Sequence, residues 1–211
     1  MHSPLAARQR EQLIEAILPD VPFDGWTRRA LRQAARRVGI SEDEARALFP
    51  RGAAEMVAEF SHWADREMLR RLAAAEEPAS LSQGVALAMR LRFEALLTWR
   101  EAVRRGLSVL AMPPNAPLAL RLLYDTVDAI WRGVGDHPTD FSFYTKRATL
   151  AGVQAGATLY WLDDRSPEFT ETLAFIDRRL ADLHRLGSLR GRLIVAAERL
   201  PNPLRLLRPT L

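Results

Sequence analysis

Four histidines, no cysteine and a scatter of carboxylates make up the chemically active residues of this chain. His62 follows Glu59 at the Glu-x-x-His spacing with which helical bundles hold a di-iron centre. Such a centre needs a second copy and two further glutamates, and neither His137 nor His184 has a glutamate three residues before it. His2, His62, His137 and His184 therefore read as histidines at a helix surface or core edge. Asp163 and Asp164 precede Ser166-Pro167, where turn and cap chemistry accounts for them. Without cysteine there is no disulfide framework, thiolate metal site or cysteine nucleophile. A phosphate-cradling glycine loop, a dinucleotide glycine pattern, a nucleophile elbow and a His-Glu-x-x-His motif are all missing from the sequence. The expectation is a protein that is not an enzyme and holds no metal and no cofactor.

The elements that would position any site are helical. Met56, Phe60, Trp63 and Leu72 fall near the spacings of one helix face, and Phe169, Leu173, Ile176, Leu180 and Leu183 do so more cleanly. Ser41 with Glu44 forms a capping-box pattern, and Ser166 before Pro167 places a cap and an N1 proline ahead of the last strong helix, Pro167 to Arg185. Loops are expected at Pro19 to Gly25, Gly39 to Ser41, Glu76 to Ser80, Pro113 to Pro117, Gly133 to Pro138 and Asp163 to Ser166. The result is an all-α bundle of about ten helices. At 211 residues and 48% hydrophobic the chain can bury one core and little more. We divide it into a helix-turn-helix-like part at 1–50, a helical core at 51–187 and an amphipathic helix and tail at 188–211. No apolar run is long enough to span a bilayer, and Met1 to Glu11 lacks the apolar stretch of a secretory signal, which suggests a soluble or peripheral protein.

The first three helices, Leu5 to Leu18, Thr27 to Val38 and Glu42 to Leu48, have the spacing of a repressor's DNA-reading motif. Arg28, Arg29, Arg32, Arg36 and Arg37 on the second of them suit phosphates. The formal charge of +4 is carried almost wholly by arginine, with Lys146 the single lysine. The helix that would enter the major groove nevertheless begins Ser41-Glu42-Asp43-Glu44, setting carboxylates against a polyanion, and only Arg46 offsets them. The pattern reads as packing, with no nucleic acid expected. A DNA-binding repressor with a hydrophobic ligand is the alternative.

Thr139 to Ala151 (TDFSFYTKRATLA) closely resembles the signature of the ubiquinone-biosynthesis lipid-binding family, the ninth Coq gene product. Ala111 to Pro117, Val127 to Trp131, Asp164 to Phe169, Phe175 to Leu180, Gly25-Trp26-Thr27 and Val38 to Ser41 extend the resemblance in order over residues 5 to 186. It implies a homodimer of TetR-repressor-like fold that binds an isoprenoid quinone precursor or phospholipid and presents intermediates to a ubiquinone-pathway hydroxylase. It further implies a cytoplasmic protein associated peripherally with the inner membrane. Asp128, Trp131, Asp140, Phe143, Tyr144 and Arg147 would face the partner. Family members commonly carry tryptophan where Phe143 stands, and phenylalanine keeps the apolar anchor but loses the indole donor.

Several patterns in the sequence meet these implications. A prenyl tail in water costs about 25 cal/mol per Å² of apolar surface, so its carrier must be hollow and apolar. Met89, Phe93, Leu96, Leu97 and Trp99, joined by Leu110, Met112, Leu120, Leu123 and Val127, form a wide stripe that serves equally as pocket lining or ordinary core. Ala148, Gly152 and Gly156 recur every four residues as a ridge of minimal side chains. Similarity to the repressor layout assigns this ridge, with Leu173, Ile176 and Leu180, to the dimer interface, and close packing within one chain competes. Leu189, Arg190, Arg192, Leu193, Ile194 and Leu200 form a basic amphipathic pattern suited to a membrane surface or to a plain surface helix.

Overall fold

The computed structural model describes residues 4–135 and 142–182, and the side chains of all of these except 142–146. Every element of regular structure among the described residues is helical. Helix α1 (Pro4–Ile17) buries Leu13, Ile14 and Ile17 against α3 (Arg28–Val38). Between them the expected loop contains a helical turn, α2 (Val21–Asp24). Pro22 sits in its first turn, where a missing N–H costs no hydrogen bond, and Gly25 ends it at φ +68°. Thr27 is the cap of α3 rather than its first residue, its hydroxyl accepting from the Ala30 N–H at 3.2 Å. Gly39 closes that helix in the left-handed conformation.

Ser41 caps α4 (Glu42–Leu48) through a 3.2 Å bond from the Glu44 N–H. Only this half of the expected capping box forms, because the Glu44 carboxylate turns to Gln9 Nε2 at 2.7 Å. The central helix α5 (Ala53–Ala73) then meets α1, α6 (Leu81–Leu96), α7 (Arg100–Leu110) and α8 (Ala116–Gly133). A 3-10 turn at Leu97–Trp99 bends the chain from α6 into α7. Helix α9 (Ser142–Asp163) packs back on α8, and a further helical stretch at 170–182, here α10, follows a 3-10 turn at Pro167–Phe169.

One continuous core runs through these helices, from Leu13 in α1 to Leu180 in α10. Directional bonds join its N-terminal part to the rest. Arg10 on α1 donates to Glu59 on α5 at 2.9 Å and lies over the Phe49 ring at 4.5 Å. The buried Trp26 indole donates to the Ala102 carbonyl of α7 at 3.0 Å.

The corner between α9 and α10 is organised by Asp164, which is buried. Its Oδ1 accepts from the Ser166 N–H at 2.8 Å and hydroxyl at 2.6 Å, and its Oδ2 accepts from the Thr172 N–H at 2.8 Å and hydroxyl at 2.5 Å. Ser166 Oγ in turn accepts from the Glu171 N–H at 3.1 Å, so the cap expected of serine alone is shared with the aspartate. These bonds hold Glu168 and Phe169 at φ +51° and +48°, a conformation costing about 1 kcal/mol or more for a residue with a Cβ.

Burial favours the protonated form of Asp164, but the four hydrogen bonds outweigh it and bring its pKa from 3.8 to about 2. A folded pKa below the unfolded value stabilises the fold above the unfolded pKa, and that contribution is lost as pH falls through the folded one. Asp164→Asn is therefore expected to lower unfolding free energy at pH 7 by about 2 kcal/mol. The gap between the two proteins should close between pH 4 and pH 2, as read from urea unfolding across that range.

Candidate ligand-binding cavity

Where α5, α6, α7, α8 and α9 converge, small residues leave a hollow. Ala64, Gly106, Ala111, Ala119 and Ala155 stand on the wall of a cavity of about 460 Å³, a size typical of small-molecule sites. Gly106 brings α7 close to α5, since a Cβ there would lie 3.4 Å from Val57 Cγ1. The apolar wall is completed by Val57 and Phe60 of α5, Leu96 of α6, Val103, Leu107 and Leu110 of α7, Leu122 and Leu123 of α8 and Leu159 of α9. Leu120 and Leu159 are 69% and 63% exposed and mark where the cavity meets the surface.

Polar residues enter the wall at buried positions. Arg92 of α6 donates through Nε to Asp65 Oδ1 at 2.7 Å and through Nη2 to Ser61 Oγ at 3.2 Å and Thr126 Oγ1 at 3.4 Å. Thr126 of α8 donates onward to the Asp65 carboxylate at 3.0 Å. Arg92 and Asp65 are only 7% and 6% exposed, so the pair is bound inside the protein with its hydrogen bonds supplied by hydroxyls. Gln154 and Thr158 of α9 form a second polar group on the same wall.

The COQ9 family profile matches residues 116–187, the segment that contains α8 and α9. The chain is 32% identical over 186 residues to the mitochondrial ubiquinone biosynthesis protein COQ9 of Rattus norvegicus and 31% identical to that of Homo sapiens. These alignments take in 84% of this chain but 59% and 58% of the relatives, so it spans about three fifths of their length. The Drosophila melanogaster COQ9 is 29% identical over 176 residues, 81% of this chain and 54% of that protein. Among solved structures, a TetR transcriptional regulator from Nitrosomonas europaea superposes with a TM-score of 0.66 over 82% of this chain and 97% of the regulator, at 20% identity. The fold is accordingly all-α and TetR-like, as the sequence implied.

Of the ten residues expected to line a lipid pocket, Leu96, Leu110, Leu120 and Leu123 stand on the cavity wall. Met89, Phe93 and Val127 are fully buried in the core instead, Phe93 against Trp161 at 5.3 Å between ring centroids. The 3-10 bend after α6 carries Leu97 and Trp99 off the wall, and Met112 lies exposed beyond the end of α7. A helix buried on most of its faces shows no periodicity that separates wall from core, and the α6 stripe was of that kind. The residues missed, Val57, Phe60, Val103, Leu107 and Leu159, belong to other helices. Arg92 between Leu91 and Phe93 and Gln154 between Val153 and Ala155 were the legible signs, as buried polar residues among apolar ones.

The residues expected at the partner surface are divided. Arg147 is buried and donates to Asp128 through Nε at 3.0 Å and Nη2 at 2.7 Å, joining α9 to α8, and Asp128 also takes Arg132 at 2.9 Å. The Arg147 charge is therefore used within the chain rather than offered outward. Trp131 is half-buried on the core. Asp140 and the side chains of Phe143 and Tyr144 lie outside the described residues, as do Leu189, Arg190, Arg192, Leu193, Ile194 and Leu200.

The small-residue ridge is split as well. Ala148 is exposed and Gly152 faces open space, whereas a Cβ at Gly156 would meet the Phe175 ring at 3.4 Å, an approach within the chain. Ile176 and Leu180, expected at a dimer interface, are buried in this chain's own core, and Leu173 packs partly against it.

Of the histidines weighed as ligands, His2, His137 and His184 lie outside the described residues. Glu59 takes Arg10 at 2.9 Å and Arg66 at 3.1 Å, and although burial opposes its ionisation these arginines hold it below the usual carboxylate range. His62 stands 3.5 Å from Asp125 on the surface. Among the described residues no cluster of three His, Asp or Glu side chains is arranged to hold a metal, and no helix is long and apolar enough to cross a membrane.

Removing one member of a buried pair leaves the other as an uncompensated charge. Asp65→Ala is expected to lower stability by about 3–5 kcal/mol, and the double change Asp65→Leu with Arg92→Met to restore most of it. Denaturant unfolding of the single and double variants measures both effects.

Proposed function

We propose that this chain is a non-catalytic accessory protein of ubiquinone biosynthesis that binds an isoprenoid lipid in the cavity and presents quinone intermediates to a ring hydroxylase. The observation that carries the reading is an apolar hollow of about 460 Å³, reaching the surface at Leu120 and Leu159, in a chain of the COQ9 family. The relatives' names supply the pathway. The hollow supplies a physical task, since each Å² of prenyl chain sheltered there saves about 25 cal/mol. A chain of several prenyl units extends beyond a pocket of this size, so its outer part must find cover at the mouth, on a membrane or on the partner.

The remaining elements fit around this role. The exposed edge of α9 at Ala148 and Gly152, with α10, is the proposed face for a second copy of the chain. The Asp140 to Tyr144 segment is the proposed contact for the hydroxylase. The basic amphipathic residues from Leu189 to Leu200 are proposed to hold the protein at the inner membrane. A DNA-reading role has less support: Glu42, at the start of the would-be reading helix, takes Arg36 at 2.7 Å and approaches Arg32 at 3.8 Å.

Native mass spectrometry of the gently purified full chain is expected to show one prenylated ligand per cavity, either carried through purification or taken up from added quinone precursors. Ala155→Phe, which fills the hollow, should weaken uptake at least tenfold while leaving the melting temperature within a few degrees. Neither bound lipid nor uptake of any precursor would sink the proposal.

A further inference from the structure

A separate hollow lies where α5 and α8 end and α6 begins. It encloses about 510 Å³, with Leu72, Pro78, Leu81 and Val134 on its apolar side and Glu76 and Glu77 also in its wall. Two glycines set its shape. A Cβ at Gly84 would lie 3.0 Å from Val134 Cγ1, and one at Gly133 would come within 2.7 Å of Leu69 Cδ2, so the end of α8 is wedged between α5 and α6. Leu81 is left 49% exposed.

The charge around this hollow is one-sided. Helix C-termini carry partial negative charge, and both α5 and α8 end here. The start of α6 has the opposite sign, but Ser80 Oγ already accepts its Gln83 N–H at 3.3 Å. Glu76 and Glu77 are exposed and have no hydrogen bond or ion pair among the described residues. The arginines nearest in sequence are engaged elsewhere: Arg70 and Arg71 each lie 2.7 Å from Glu67, and Arg132 lies 2.9 Å from Asp128. An arginine flanked by leucines matches what is left, laying its alkyl stem on the apolar side and its guanidinium donors on the carboxylates.

This chain contains such a segment. Beyond residue 182 it carries Arg185, Arg190, Arg192, Arg199, Arg205 and Arg208 against one further acid, Glu198. Pro201 and Pro203 set the run Leu204-Arg205-Leu206-Leu207-Arg208 apart from the amphipathic stretch before it. Phe175 meets Gly156 and Tyr160 meets Glu171, so α10 runs antiparallel to α9 and the chain leaves residue 182 toward the end of the bundle where α9 begins and α8 ends. The stretch 183–203 spans about 30 Å even as a helix and about 70 Å when extended, more than the roughly 27 Å length of α8. We infer that Leu204 to Arg208 seats in this hollow, its arginines on Glu76 and Glu77 and its leucines over Leu81. Ion pairs this exposed are individually weak, so the seat is reversible and screened by salt. Resting on the membrane reading of residues 189–200, an anionic surface competes for the same arginines, and the seat withholds this end of the chain until one is met.

The chain has no cysteine, so an introduced pair reports the contact cleanly. Ala75 lines the hollow, and Phe23 is an exposed reference position on α2. In the full chain carrying Ala75→Cys and Leu207→Cys, mild oxidation is expected to form a disulfide within one chain about tenfold faster than with Phe23→Cys and Leu207→Cys. Adding Glu76→Arg and Glu77→Arg should remove the advantage, and further adding Arg205→Glu and Arg208→Glu should restore it. Salt at about 1 M should shrink it. Phosphatidylglycerol vesicles should slow the trapping, and phosphatidylcholine vesicles should not. Equal rates for the two cysteine pairs, a disulfide formed only between chains, or an advantage indifferent to charge reversal each overturn the seat. An advantage that phosphatidylglycerol leaves intact overturns the competition, and failure of the unmodified protein to bind such vesicles counts against the membrane reading alone. Comparison of the two cysteine pairs needs no charge reversal, so it decides the seat even if the arginine variants do not fold.

Discussion

A buried charged pair fixes three of the helices that wall the cavity in a defined arrangement. Arg92 on α6, Asp65 and Ser61 on α5 and Thr126 on α8 form one hydrogen-bonded group that fixes three helices relative to one another. Purely apolar side chains at these positions would let the helices slide together and close the space, because dispersion and hydrophobic contact carry little direction. A guanidinium with its partners at 2.7 to 3.4 Å tolerates little displacement. Desolvating such a pair is costly, and replacement by well-packed apolar residues is often neutral or stabilising, so the pair is better understood as a spacer than as a source of stability.

The N-terminal helices are tied into the rest of the fold by directional bonds. Trp26 reaches the carbonyl of Ala102 on α7, and Arg10 reaches Glu59 on α5, so these helices form part of the core that backs the cavity. Trp26 stands behind Gly106 on the cavity wall, its Nε1 3.6 Å from where a Cβ there would lie. The acids at the start of α4 have partners in this arrangement: Glu42 in Arg36 and Arg32, and Glu44 in Gln9. Residues that would be a liability facing phosphates are satisfied where they are. The arginines of α3 spend part of their charge at home for the same reason, Arg37 on Asp20 and Arg36 on Glu42.

Legibility in the sequence followed the physics of each feature. Helix ends at Gly39 and Ser41 were readable because a cap is a local bond between residues a few positions apart. The all-helical fold was readable from periodicity and from the family resemblance. The cavity wall was not, because it is assembled from five helices, and whether Phe93 faces Trp161 or a hollow depends on what lies opposite. Leu96 and Phe93 are equally apolar and one turn apart, yet only the former meets the space. The small-residue ridge was ambiguous for a related reason, since Gly156 accommodates Phe175 of its own chain and no spacing rule distinguishes that from a second copy.

The α9–α10 corner bears on the cavity wall as well. Helix α9 contributes Gln154, Ala155, Thr158 and Leu159 to the wall, and its position is set at one end by Asp128 with Arg147 and at the other by the Asp164 group. The second anchor holds two non-glycine residues at positive φ and also accepts Arg100 of α7, whose guanidinium donates to the Asp164 carbonyl and covers the Trp161 ring at 4.6 Å. Strain of this kind persists only where surrounding bonds fix it. Thus the α9 wall is restrained at both ends by polar contacts, while between them it touches α8 across small and apolar residues that impose no fixed register.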